Sequence, residues 1–206
     1  MILRELKVSS LDTNCYILGD EEVGEAIVID PGDDGEEIMN LLDELNLDLK
    51  YILDTHGHHD HISANRYLAE NSDAELLIHE ADAEYLTNPR YNLSFFHKSD
   101  AIEGPAADRL LVEGDRVKCG EWDLEVIHTP GHTPGGIVLL GNGKLFSGDT
   151  LFSMGVGRTD LPNGSREDLM ASIEEKLMSL DDDLEVYPGH GPSGKLGEIK
   201  AVNPFL

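Results

Sequence analysis

Basic residues are scarce in this chain. Lys and Arg together number 15 against 41 Asp and Glu, which gives a formal net charge of −26. A surface of this charge repels phosphate backbones and anionic lipid headgroups, and the sequence contains no local basic patch to offset it. We therefore expect neither a nucleic-acid partner nor a membrane partner.

The acidic residues are spread along the whole chain rather than gathered in a tail. One interpretation is the strongly solvated surface of an ordinary cytosolic protein. The other is adaptation to a salt-rich cytoplasm, where screening relieves the repulsion between like charges. Thermal stability measured against KCl concentration separates the two, because only the second requires salt.

Cysteines and long apolar segments are also few. Cys15 and Cys119 are too few for a disulfide framework and lack metal-type spacing, so we expect two buried free thiols in a reducing compartment. The first ten residues, MILRELKVSS, contain no long apolar run, and no segment approaches the length of a membrane span. These absences predict a cytoplasmic protein.

The chain has 206 residues, of which 40% are hydrophobic and 27% charged. This composition is typical of a folded protein, and we expect one domain over residues 1–206. Short apolar runs alternate with amphipathic stretches, which indicates layered sheets and helices. Strands are predicted at residues 16–18, 26–30, 51–54, 76–79, 124–128, 137–140, 144–146 and 184–187.

Two helices are indicated by apolar spacing. The first follows the turn at Pro31-Gly32 and has Ile38, Leu41, Leu42 and Leu45 on one face. The second opens at a capping box over residues 165–168 and has Leu169, Ile173 and Leu177 on one face. Residues 81–109 fit neither period, and we expect a long loop that covers one end of the sheet, where sites are often found.

The densest chemical signal is THGHHDH at residues 55–61, directly after the strand ending at Asp54. Imidazole nitrogens and carboxylate oxygens bind divalent metals at about 2.0–2.2 Å. His56 and His58 are two residues apart at a strand end and can project to the same side. Asp60 and His61 open a helical stretch over residues 62–70, whose turn can aim them at a second point nearby.

A lone histidine is usually structural, so a metal site needs distant ligands as well. Three further motifs provide them. His132 lies in TPGHTPGG at residues 129–136, Asp149 in SGDT at 147–150 and His190 in YPGHG at 187–191. Each stands on a tight turn just beyond a strand, which is how a rigid sheet presents several ligands to one point.

Together THGHHDH, TPGHTPGG, SGDTLF and YPGHGP, in this order, resemble the metallo-β-lactamase superfamily. The resemblance implies an α+β fold, a four-layer αββα sandwich with its site at one edge of the two sheets. It also implies a ligand set: His56, His58 and His132 for one metal, Asp60, His61 and His190 for the other, and Asp149 bridging both.

The implied activity is metal-dependent hydrolysis with two divalent ions, zinc being favoured over iron or manganese. Two bridged cations lower the pKa of a shared water, so that a hydroxide nucleophile exists near neutral pH. Asp60 is predicted to be catalytic as well, by orienting that hydroxide. No serine or cysteine nucleophile is required.

Within the superfamily the chain resembles glyoxalase II and its shorter single-domain relatives, which cleave thioesters. Asp149, which familiar zinc β-lactamases lack, argues against antibiotic hydrolysis. The chain ends too soon after His190 for the added helical domain of glyoxalase II, so the thiol carrier is left open. The oligomeric state is also not specified.

Arg158 lies in GVGRTD at residues 155–160, where the family often has a basic residue that contacts the glutathione. We predict that Arg158 binds the carboxylate of a small-molecule thioester by two parallel hydrogen bonds. The alternative is a surface arginine that pairs with Asp160 or another acid.

Other functions compete with thioester hydrolysis. A persulfide dioxygenase would hold a single iron with His56 or His58, His132 and Asp149, and the GRTD sequence resembles these enzymes as well. The YPGHGP sequence favours the hydrolases. Hydrolysis of another ester or of a lactone is a further alternative, whereas a noncatalytic interaction protein would leave so complete a ligand set without purpose.

The remaining histidines and the loop aromatics carry weaker signals. His59 is predicted to point away from the ligands, His79 and His97 have no motif partner, and His128 is predicted to be structural or to support a ligand. Tyr91, Phe95 and Phe96 are candidates for lining a substrate pocket, although ordinary packing is the alternative.

Overall fold

The computed structural model describes residues 1–96 and 101–206. The first half of the chain forms one sheet, with strands in the order β1 to β6. Strands β1, β2 and β3 are antiparallel, and β3, β4, β5 and β6 are parallel. The strands are β1 (Ile2–Val8), β2 (Thr13–Asp20), β3 (Glu25–Ile29), β4 (Asp48–Leu53), β5 (Glu75–His79) and β6 (Arg109–Leu111).

The second half forms another sheet, in the order β14-β13-β10-β9-β8-β7. Its strands are β7 (Arg116–Cys119), β8 (Trp122–His128), β9 (Ile137–Gly141), β10 (Lys144–Gly148), β13 (Glu185–Pro188) and β14 (Gly194–Lys195). A small hairpin of β11 (Leu151–Phe152) and β12 (Gly155–Val156) follows β10. The helices are α1 (Gly35–Leu45), α2 (His59–Ile62), α3 (Asn65–Glu70), α4 (Arg166–Ser172) and α5 (Leu196–Val202).

Apolar side chains arrange these elements in four layers. Alternate residues of a strand face opposite sides of its sheet, so Leu18 packs between the two sheets against Trp122 and Phe146, while Ile17 packs on the outer face. Helices α1 and α3 cover that outer face, and α4 and α5 cover the outer face of the second sheet. The α+β fold and its αββα layering are therefore as the sequence predicts.

The eight predicted strands all coincide with observed strands, and the differences lie at their ends. Six strands were not predicted from the sequence, for a physical reason. Strands β6, β7, β11, β12 and β14 contain two to four residues, and β1 (ILRELKV) has no regular alternation and is buried only at Ile2 and Val8. Short strands at a sheet edge have too few apolar residues to show a period.

The predicted helices are also present. Ser165 caps α4, accepting a hydrogen bond from the backbone N–H of Asp168 at 3.2 Å. The chain continues from α4 as a π-helical turn, Ile173–Leu177. The helical stretch predicted over 62–70 divides at Ser63 and Ala64 into α2 and α3, and α2 begins earlier than expected, at His59.

The long loop predicted over 81–109 contains two short 3₁₀ helices, Glu80–Tyr85 and Ser94–Phe96, before the chain enters β6. His97 lies outside the described residues. Cys15 and Cys119 are buried free thiols, as expected. In the described part of the chain, no helix combines the length and apolar character needed to cross a membrane.

Candidate metal centre

All seven predicted ligands lie at one edge of the two sheets. His56 and His58 follow β4, and Asp60 and His61 lie in α2 just beyond them. The other three stand on turns of the second sheet, with His132 between β8 and β9, Asp149 after β10 and His190 after β13. The rigid strands therefore bring together side chains that are far apart along the chain.

His56, His58 and His132 form the first cluster, with one nitrogen of each within 4.8 Å of the others. His58 Nδ1 lies 2.9 Å from His132 Nε2. The ring centroid of His56 is 4.9 Å from that of His58 and 4.7 Å from that of His132. Three nitrogens this close can share one tetrahedral metal ion.

Asp60, His61 and His190 form the second cluster, again within 4.8 Å. Asp60 Oδ2 lies 3.2 Å from His190 Nε2 and 3.6 Å from His61 Nε2. Thr13 Oγ1 donates a long hydrogen bond to the same Asp60 oxygen, at 3.4 Å.

Asp149 lies between the clusters and faces both. Its Oδ2 is 3.6 Å from His132 Nε2 in the first cluster. Its Oδ1 is 3.5 Å from His61 Nε2 and 3.8 Å from His190 Nε2 in the second. One carboxylate thus presents an oxygen to each cluster, which is the geometry that a bridging ligand requires.

Several of these atoms are buried without a hydrogen-bond partner, among them His56 Nε2, His61 Nε2 and Asp149 Oδ1. Buried polar atoms without partners are costly, and unpaired imidazole nitrogens beside carboxylates are the donor set of a divalent metal site. The residues therefore fit two divalent cations.

The protonation states of the first cluster agree with metal binding. Burial lowers the pKa of His56 and of His58 well below the ordinary value, and the neighbouring histidines lower both further. Both rings are therefore neutral at neutral pH, which is the form that coordinates a metal.

The second cluster is governed by charge instead. Burial lowers the pKa of His61, but the carboxylates of Asp60, Asp30 and Asp149 outweigh burial and raise it to about 10. Burial raises the pKa of Asp60, yet His61 and His190 hold it well below its usual range. Carboxylates concentrated in so small a volume favour any cation that binds there, a proton or a metal ion.

Two ligands are oriented by groups behind them. His132 Nδ1 donates to the backbone carbonyl of Arg158 at 2.8 Å, which leaves the Nε2 lone pair for the cluster. His61 Nδ1 lies 3.0 Å from Asp30 Oδ2. Asp30 is itself fixed, because its two oxygens accept from the N–H and Oγ1 of Thr55, each at 2.7 Å.

Asp82 ties the loops of the first cluster together from a buried position. Its Oδ2 accepts from Gly57 N at 3.0 Å and from Thr133 Oγ1 at 2.7 Å, and its Oδ1 accepts from Gly135 N at 2.6 Å. The sequence reading missed both Asp82 and Asp30. Asp30 stands at a strand end before the Pro31-Gly32 turn, which is the placement that marked the ligands in the sequence. Asp82 has no such placement.

The His190 loop is held by the opposite sheet. Asn14 Nδ2 donates to the carbonyls of Pro188 and Gly191 at 2.8 and 2.9 Å, and Tyr16 Oη donates to Pro188 at 2.7 Å. Gly189 has no room for a side chain, because a Cβ there would lie 2.4 Å from Asp149 Oδ1. The close approach of this backbone to Asp149 therefore requires glycine.

Arg158 lies at the same site, but its side chain is 63% exposed and pairs with Asp160. Its Nε and one terminal nitrogen each donate to the Asp160 carboxylate at 2.8 Å, an arrangement that lowers the pKa of Asp160 to about 2. This is the alternative that the sequence left open, and binding of a substrate carboxylate by Arg158 stays a prediction.

The other histidines differ in their surroundings. His59, which was expected to point away, lines the cavity beside the clusters. His79 and His128 stack with ring centroids 3.9 Å apart, and His128 Nε2 lies 2.8 Å from the carbonyl of Pro134. These contacts agree with the structural role predicted for His128.

A cavity of about 840 Å³ opens directly beside the clusters. His58, Asp60, His132, Asp149 and His190 contribute to its lining. Phe96, one of the loop aromatics singled out in the sequence, also lines it, whereas Tyr91 packs against Tyr85. The ligand clusters are therefore open to a small molecule.

Residues 9–190 match the metallo-β-lactamase superfamily. The chain belongs to this superfamily. It is thus a member of a superfamily of metal-dependent enzymes that bind two metal ions, as the paired clusters lead one to expect.

Similar proteins carry different functional names. The hydroxyacylglutathione hydrolase GloC of Haemophilus influenzae is 36% identical over 209 residues, covering 100% of this chain and 98% of GloC. The structure of the BLEG-1 B3 metallo-β-lactamase is 34% identical, with a TM-score of 0.94 and coverage of 100% of this chain and 99% of that one.

Two further structures are similar to this chain, and the second of them bears on the metal. ETHE1 from Myxococcus xanthus is 32% identical, with a TM-score of 0.82 and coverage of 99% and 84% of the two chains. TTHA1623 in a di-iron-bound form is 34% identical, with a TM-score of 0.87 and coverage of 98% and 100%. Since that relative holds iron, ligand type alone does not fix the metal.

Proposed function

We propose that this superfamily member hydrolyses the thioester of a small anionic molecule, with two divalent ions bound, zinc being favoured. The observation that carries the proposal is the position of Asp149, whose two oxygens face the two clusters at 3.6 and 3.5 Å. The full-length similarity to the hydroxyacylglutathione hydrolase GloC supports a thioester as the substrate.

His56, His58 and His132 would hold one ion and Asp60, His61 and His190 the other, with Asp149 shared. When bound, two such ions supply a hydroxide near neutral pH and stabilise the negative charge that develops on the substrate carbonyl. Hydrolysis adds water across the C–S bond and releases a carboxylic acid and a thiol.

Asp60 has a second role in this proposal. Its carboxylate is ionised, because His61 and His190 hold its pKa far below neutrality, and Asp60 lines the cavity. An ionised carboxylate only accepts hydrogen bonds. Asp60 therefore orients the attacking water by accepting a hydrogen bond from it.

Arg158 would hold the anionic part of the substrate. Exposed ion pairs contribute little stability, so a substrate carboxylate can displace Asp160 from the guanidinium at small cost. The backbone carbonyl of Arg158 already supports His132, which keeps this residue beside the first cluster.

Thiol release from S-lactoylglutathione by zinc-loaded protein tests the proposal, with a chelated sample as the control. We expect turnover with about two zinc ions per chain and loss of turnover on chelation. Nitrocefin and a simple lactone belong in the same assay, because the BLEG-1 relative carries a β-lactamase name. Hydrolysis of either of these without any thioester cleavage would contradict the proposal.

A persulfide dioxygenase is the second candidate, because the GRTD sequence at residues 157–160 resembles these enzymes. Such an enzyme would need one iron held by two histidines and Asp149. The complete second cluster of Asp60, His61 and His190 favours the hydrolase, because a single iron leaves it unused. About one iron per chain in protein purified without added metal, with oxygen uptake on glutathione persulfide, would favour the dioxygenase.

A further inference from the structure

Six large apolar side chains line the cavity, and we call this part of the lining the apolar wall. It consists of Leu11, Leu93, Phe96, Phe152, Val156 and Leu161. Leu11 is 49% exposed and Phe96 is 68% exposed. Large apolar side chains gathered beside a reactive centre and left open to water gain free energy when a ligand covers them.

The backbone of Leu93 points to a role for its side chain. Leu93 has a φ of 70°, a left-handed conformation that glycine adopts freely and leucine does not. Strain of this kind is typical of functional sites, where the surrounding structure holds it in place. Leu93 lines the cavity, so the presence of leucine rather than glycine at this strained position points to a role for the side chain there.

The loop that carries Leu93 is anchored to the metal centre. Asn92, which is buried, donates from Nδ2 to the carbonyls of Tyr85 and Ile102, each at 2.9 Å. The backbone carbonyl of Asn92 accepts from His59 N at 2.9 Å, and His59 directly follows the ligand His58. The part of the wall that Leu93 forms is thus held in position relative to the first cluster.

We infer that the enzyme prefers thioesters whose acyl group is apolar and packs against the apolar wall. The inference rests on the proposed function, in which Arg158 holds the anionic part of the substrate. The acyl group, on the other side of the thioester bond, then lies against the remaining lining. The six apolar side chains of the wall offer such an acyl group a surface to cover. A short polar acyl group would leave the wall exposed to water.

An acyl series on one thiol tests the preference directly, using acetyl, lactoyl, butanoyl, hexanoyl and phenylacetyl thioesters of glutathione with zinc-loaded protein. We expect kcat/KM to rise about fourfold for each methylene that the wall buries, from acetyl to hexanoyl. A flat or falling series would overturn the inference and leave thioester hydrolysis standing. Cleavage of none of the series would contradict the proposed function instead.

Binding of the acid product reports on the wall without turnover. Hexanoate should bind the zinc-loaded protein at least about tenfold more tightly than acetate in a calorimetric titration. Equal dissociation constants would overturn the inference even if no thioester is cleaved.

Two variants at Leu93 separate the wall from the backbone. Leu93→Ala and Leu93→Gly should both reduce the ratio of hexanoyl to acetyl kcat/KM, whereas Val23→Ala, at an exposed turn residue away from the cavity, should not. The glycine variant should melt at or above the alanine variant, because glycine relieves the strain at φ 70°. Retention of the full ratio in both Leu93 variants would contradict the wall's role.

Discussion

The two ligand clusters lie side by side and share Asp149, yet they are built in different ways. The first contains three histidines that are 2–4% exposed, and burial keeps His56 and His58 neutral. The second contains Asp60 and the half-buried His190, and carboxylates raise the pKa of His61 to about 10. Burial suits the first cluster to a metal by keeping His56 and His58 neutral, whereas the carboxylates of the second cluster attract a cation by their negative charge.

This difference has a functional consequence. In the first cluster, His56 and His58 offer neutral nitrogens at any physiological pH, so a cation that binds them competes with few protons. In the second cluster a metal must displace a proton that three carboxylates hold. The second cation is therefore the more sensitive of the two to conditions, while the first depends on how well its loops are held.

Loss of the shared ligand should have the largest effect. Asp149→Asn removes the charge that both clusters face, so we expect kcat/KM for thioester cleavage to fall by about 10³-fold or more. Metal content measured by mass spectrometry should drop below two ions per chain. Asp73→Asn, at an exposed position, should leave both values unchanged, and full activity in Asp149→Asn would show that no shared ligand is needed.

Loss of Asp82 should weaken mainly the first cluster. Asp82→Ala leaves the N–H groups of Gly57 and Gly135 without their buried acceptor, which should cost about 3 kcal/mol of unfolding free energy. Metal affinity of the first cluster should fall about 10–100-fold.

Asp82→Asn keeps one oxygen acceptor and should restore part of that affinity. Competition with a zinc indicator measures it, with the second cluster as the internal comparison. Equal losses at both clusters would mean that Asp82 supports the fold in general rather than the first cluster.

The dependence of metal affinity on pH should differ between the clusters. His61 is protonated below pH 10 in the metal-free protein, so zinc affinity of the second cluster should rise about tenfold per pH unit between pH 6.5 and 8.5. Affinity of the first cluster should change little, because the pKa values of His56 and His58 lie well below this range. Zinc titrations at three pH values measure both.

The raised pKa of His61 also predicts how the stability of the metal-free protein depends on pH. A pKa of about 10 in the folded state lies above the unfolded value of about 6.5, so His61 stabilises the fold fully below pH 6.5 and progressively less as pH rises toward 10. Urea unfolding at pH 6.5 and 9 should show the decrease. A constant free energy of unfolding would argue that the carboxylates do not hold this proton.

The smallest effect is expected at Arg158, whose exposed side chain lines the cavity but belongs to neither cluster. Arg158→Ala should raise KM about threefold to fivefold for an anionic thioester and leave KM for a neutral one nearly unchanged. The backbone carbonyl that supports His132 is retained in this variant. An equal rise for both substrates would assign Arg158 a structural pairing with Asp160 only.

The sequence was informative wherever a local pattern carried the signal. The eight apolar strands, the apolar face of α1 and the capping box at Ser165 were predictable, because each is set by residues a few positions apart. The short edge strands were not, since contacts with a neighbouring strand, rather than their own composition, hold them in a sheet.

In the candidate site, too, some residues could be predicted from the sequence and others could not. Ligand types and their placement after strands were readable in the sequence, and with them the chemistry that the site can perform. Asp82 and Asn14 were not, because each acts on residues brought near only by folding: Asp82 joins two loops, and Asn14 reaches from one sheet to the His190 turn of the other.

The sequence by itself determined which atoms are available to bind a metal and which strands present them. Only the tertiary structure decided that Asp149 faces both clusters, that Arg158 is paired with Asp160, and that Leu93 stands in a left-handed conformation beside the ligands. The physical reason is that local propensity acts over a few residues, whereas distances between loops follow from the packing of two whole sheets.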